Sequence, residues 1–86
     1  MSAIEEVIAG VQAAQQQLDA AIAQCGQAMA AADNGYQLAM QVGSQSSAAG
    51  LQQVRQQIEA MQQQIAAAKT GGDAAIRTAQ QVAAGT

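Results

Sequence analysis

The side chains able to do chemistry are few and far apart. The chain holds one cysteine (Cys25), one tyrosine (Tyr36), no histidine, six carboxylates and three cations, Arg55, Lys69 and Arg77. A thiol nucleophile needs a base beside it, and the usual one is missing. With one cysteine and no histidine, a transition-metal site lacks its usual ligands. No carboxylate pair is spaced for general acid–base work, and no phosphate-cradling loop occurs. The expectation is a non-enzyme with no catalytic residue, no cofactor and no metal. Cys25 keeps two readings: a small buried apolar residue, or a thiol that meets its symmetry mate in an intermolecular disulfide.

Charge narrows the partners. The formal net charge is −3 over 86 residues. Binding nucleic acid takes clustered Lys and Arg to displace counterions, and usually aromatic rings to stack on bases. Neither is present, so no nucleic-acid partner is expected. The missing basic face also argues against an anionic membrane surface. No apolar run of about 18 residues occurs, so no membrane span is expected. Met1–Gly10 carries two glutamates and no basic residue, unlike a cleavable signal peptide. The expected location is the cytoplasm, with export by a route that needs no cleavable signal left open.

What the sequence does specify is a pair of heptad ladders. The first steps through Ile4, Ile8, Val11, Gln15, Leu18, Ile22, Cys25, Met29, Ala32 and Tyr36. The second steps through Leu51, Val54, Ile58, Met61, Ile65, Ala68, Gly72, Ala75, Ala79 and Val82. Alternating steps of three and four keep one narrow stripe facing a partner helix. Residues 43–50 between the ladders carry no large apolar side chain. The chain has no proline, and alanine and glutamine, both good helix formers, dominate it. The fold class expected is all-α: a two-helix antiparallel hairpin that dimerises into a four-helix bundle. Residues 1–86 form one domain, with helices over about 3–42 and 47–84 and a turn at about 43–47.

Local signals set these bounds. Ser2-Ala3-Ile4-Glu5 fits a capping box, and Glu5 and Glu6 suit the positive end of a helix dipole. Gly43 can end the first helix in a left-handed conformation, and Ser46 or Ser47 can cap the second. Two soft points remain. Asp33-Asn34-Gly35 reads as a turn elsewhere, yet Tyr36 stays on the ladder, favouring a loosened or kinked helix over a break. Thr70-Gly71-Gly72-Asp73 is the other, either continuous helix or the cap of a separate short one. Folding the chain about residue 46 would set Gly71 and Gly72 opposite Ala20–Gly26.

The expected interface is Val11, Leu18, Ile22, Cys25, Met29 and Tyr36 with Leu51, Val54, Ile58, Met61 and Ile65. Gln15 is either a buried amide that fixes register or an edge residue beside an inward Ala14. Tyr36 is an end-of-core plug or an interface anchor. Arg55 and Glu59, four apart, suit a surface pair. The glutamine runs decorate the outer faces, as a solvated surface or one that packs on other copies.

This plan resembles the WXG family of small type VII secretion substrates: uncleaved, acidic helical hairpins of about this length that pair as four-helix dimers. The arms would be Ile4–Val42 and Leu51–Val82, with the turn at Gly43–Ser47. It is also similar to Ala/Gln-rich actinobacterial hairpin proteins thought to accompany secreted toxins. The family's turn carries Trp-x-Gly, whereas this chain has no tryptophan and only Gly43 and Gly50 near its turn. The family's export signal sets an acid four residues after a tyrosine; here Met40 follows Tyr36 at that spacing. The resemblance implies a partner or adaptor that works by helix–helix packing, as a homodimer or a heterodimer with a similar hairpin. The alternative expected function is a structural self-assembling subunit of a filament, shell or scaffold, packing through neutral Ala/Gln faces.

Overall fold

The structure, a computed structural model, describes residues 2–85. It is all-α: α1 spans Ala3–Gln41 and α2 spans Gln45–Gly85. The two lie antiparallel as a hairpin 66 Å long and 17 by 11 Å across, the length 39–41 residues give at about 1.5 Å each. Ser2 caps α1, its hydroxyl accepting from the Glu5 amide at 3.1 Å, with Glu5 and Glu6 in the first turn.

The end of α1 fixes the whole register. Gly43 adopts a left-handed φ of 77°. Its amide donates to the Met40 carbonyl (3.2 Å), and the Ser44 amide donates to Ala39 (2.8 Å). This is a Schellman cap, satisfying carbonyls the helix leaves over. α2 starts at once: the Ala48 amide donates to the Ser44 carbonyl at 3.0 Å, and the Ser44 and Ser47 hydroxyls pair at 2.8 Å. The turn is therefore residues 42–44, earlier and tighter than the expected 43–47, and α2 begins ahead of Ser46 and Ser47. The shift moves every cross-helix pairing. Gly72 lies against Gln15, not against Ala20–Gly26.

Both soft points are helical throughout. Their glycines mark close approaches between helices. A Cβ on Gly35 would come 3.2 Å from Cδ1 of Leu51, and one on Gly72 would come 2.8 Å from Nε2 of Gln15. Each glycine makes room for a side chain of the opposite helix, so helix propensity yields to packing. Nothing lies within 4 Å of a Cβ on neighbouring Gly71.

Two stability predictions follow from this geometry, both read by thermal melting at fixed protein concentration. Gly71→Ala gains about 1 kcal/mol of helix propensity, roughly 4–8 °C in a domain of this size. Gly72→Ala gains less, because the same methyl displaces Gln15. Gln45→Pro, at the first position of α2 where proline is favoured, leaves the melt nearly unchanged. Gln53→Pro, in mid-helix, costs about 3 kcal/mol or more.

Candidate interaction surface

In heptad terms the α1 seam is Ile8, Gln15, Ile22, Met29 and Tyr36 at a, and Ile4, Val11, Leu18, Cys25, Ala32 and Ala39 at d. All are buried or half-buried. On α2 the d positions are Leu51, Ile58, Ile65, Gly72 and Ala79. Its a positions are Ala48, Arg55, Gln62, Lys69 and Ile76, again buried or half-buried. The first ladder is placed as expected. The second keeps its Leu51, Ile58, Ile65, Gly72 and Ala79 half but is rotated by one residue in the other half. Val54, Met61, Ala68, Ala75 and Val82 stand outside the seam and exposed.

Of the expected interface residues, Val11, Leu18, Ile22, Cys25, Met29 and Tyr36 on α1 and Leu51, Ile58 and Ile65 on α2 are buried or half-buried along the hairpin's own seam. Val54 and Met61 do not join them; they are 44% and 48% exposed. The cause of the rotation is polar. Arg55, Gln62 and Lys69 cover the seam with their apolar stems while their heads reach α1. The Arg55 guanidinium donates to Asp33 (2.7 Å) and to Glu59 (3.2 Å). Gln62 donates to the Ile22 carbonyl (3.2 Å), and Lys69 pairs with Asp19. From α1, Gln15 donates to the Lys69 carbonyl (3.0 Å) and to the Asp73 carboxylate (2.8 Å). Gln15 is thus the seam amide, and Ala14 is exposed.

These links share one side of the molecule. In an antiparallel helix pair the two e rows flank one side of the seam and the two g rows the other. Every cross-helix bond above uses a and e side chains or the backbone between them. Five of the six carboxylates, Glu5, Asp19, Asp33, Glu59 and Asp73, occupy e. The g row of α1 is Val7, Ala14, Ala21, Ala28, Gly35 and Val42. That of α2 is Val54, Met61, Ala68, Ala75 and Val82. Among the described residues no charge lies at a g position or at the neighbouring c positions. The hairpin is a layer with one acidic, hydrogen-bonded face and one uncharged, mostly apolar face.

The acidic face carries an open recess lined by Gln12, Gln15, Gln16, Asp19, Lys69 and Asp73. Its carboxylates are engaged, Asp19 by Lys69 and Asp73 by Gln15. Among the described residues no group of three or more His, Cys, Asp or Glu could hold a metal ion, and no helix is long and apolar enough to cross a membrane. Cys25 is a buried free thiol, which a bridge to another copy could reach only if the seam opened. No family model matches the chain, and no curated protein or solved structure matches it.

Sequence reasoning missed the uncharged face, although its signal is present. Counting charges by heptad position, rather than apolar residues alone, separates the two faces. The Gln15 links give a further prediction. Gln15→Ala removes two partly exposed hydrogen bonds and lowers stability by about 1 kcal/mol, while Gln16→Ala, one residue outside the seam, changes the melt by less than about half of that.

Proposed function

We propose that the protein is a non-enzymatic helical interaction module. Its most concrete form is a WXG-like secretion partner or adaptor associated with a secreted toxin. The observation that carries the reading is the poverty of the core. Among the described residues only Cys25, Ala32, Ala39 and Ala48 are buried, and no large side chain is fully enclosed. With one neighbouring helix to cover each stripe, the large seam side chains bury only part of their apolar surface and contribute correspondingly less. Exposed Val7, Leu38, Met40, Val42, Val54, Met61 and Val82 are then unspent apolar surface, the kind that marks association sites.

The hairpin architecture and length support the secretion-partner form. A filament or shell subunit would need docking faces on both sides of the layer. The acidic row on one side favours a closed association over an open array.

Light scattering over a wide concentration range, with and without reductant, paired with circular dichroism, tests the module. A stable, reductant-independent dimer supports it, as does a poorly helical monomer that awaits another protein. A monomer that is fully helical and melts cooperatively at every concentration overturns it.

A further inference from the structure

We propose that α2 beyond Gly71 is a strap: a separately opening segment, clasped by Gln15, that covers the apolar start of α1 and uncovers it when released. Burial is uneven along the hairpin. The buried residues, Cys25, Ala32, Ala39 and Ala48, all lie in its turn half. Over residues 66–85 none is buried, and only Lys69, Gly72, Ile76 and Ala79 are half-buried. Ile76 and Val82 are the large apolar residues of that stretch, and Val82 is 52% exposed. With Gly72 against Gln15, the antiparallel run lays this thin segment along Ile4, Ile8 and Val11.

The strap is also the weaker helix. Gly71 and Gly72 together disfavour helix continuation more than any adjacent pair without proline. The Thr70 and Thr78 hydroxyls donate to the Ala66 (3.3 Å) and Ala74 (3.1 Å) carbonyls of their own helix, a bond that slightly weakens and bends helices. The facing stretch of α1 has the Ser2 cap, two acids in its first turn and a single glycine, Gly10. A helix of about 14 residues is marginal on its own in water. A released strap therefore unwinds, while α1 keeps its helix.

Gln15 is the clasp. Its amide donates to the Lys69 carbonyl (3.0 Å) on one side of the glycine pair and to the Asp73 carboxylate (2.8 Å) on the other. The two bonds bracket Gly71 and Gly72 and tie the weak point to α1. Release bares Ile4, Ile8 and Val11, which steps of four and three place on one helix face.

Hydrogen exchange of the full chain, followed amide by amide by NMR at one protein concentration, tests this. In the wild type, amides 74–79 exchange about tenfold or more faster than amides 51–65 and amides 8–14. Ile58→Val weakens the turn half, so it speeds exchange at 51–65. It leaves 74–79 unchanged, because the strap opens without disturbing Ile58. Gln15→Ala speeds exchange at 74–79 about fivefold, and Gly71→Ala slows it about fivefold. Exchange at 74–79 no faster than at 51–65 overturns the strap. So does an Ile58→Val variant in which both stretches speed together, since the hairpin then opens as one unit. Rates at 8–14 as fast as those at 74–79 overturn the assignment of the moving part to α2. An unchanged rate at 74–79 in Gln15→Ala overturns the clasp.

Discussion

A layer two helices wide leaves every large seam side chain with an open side and encloses only the small ones, and the rest of this structure answers to that constraint. Ile22, Leu18 and Ile58 each have one neighbouring helix to cover them, so none is fully enclosed. A third layer would cover them, and the described residues form only two helices. Stability must then come from what sits beside the seam. On one side that is a set of polar links, and on the other it is uncharged, mostly apolar exposed surface.

The polar links are individually weak. Arg55, Asp33, Lys69 and Asp19 are all more than a third exposed, and exposed ion pairs contribute about 0–1 kcal/mol. Their value is directional. Gln15 can satisfy the Lys69 carbonyl and Asp73 together in one register only, with Gly72 beside it. A slip of one heptad would keep the apolar stripe and lose this set. The register is thus held at two points: the Schellman cap at Gly43 and the Gln15 amide near the open end.

The hairpin, its two arms and the first ladder were legible because they rest on strong local signals: period, the Ser2 cap and the turn composition around Gly43. The expected turn was late because several serines offered a cap, and only the bonds made by Ser44 choose among them. Gly35 and Gly72 read as soft points because sequence shows the propensity cost and hides the neighbour that needs the space. The α2 stripe was misplaced for a related reason. Val54 and Met61 are more apolar than Arg55 and Gln62, and hydropathy alone puts them inside. The carboxylates and carbonyl on α1 that draw the longer side chains inward lie 22 to 50 residues away in sequence.

That rotation has an energetic consequence. Turning Val54, Met61 and Val82 outward forfeits burial worth roughly 25 cal/mol per Å² of apolar surface, and the exposed ion pairs gained in exchange do not obviously return as much. Within a single hairpin the trade is poor. It becomes favourable when the outward residues are covered by another layer. The polar face then fixes register, the apolar face supplies area, and neither task interferes with the other. Segregating the charges by heptad position is what separates those tasks. A sequence with acids spread over e and g alike would hold its helices as well and would have no face left to dock.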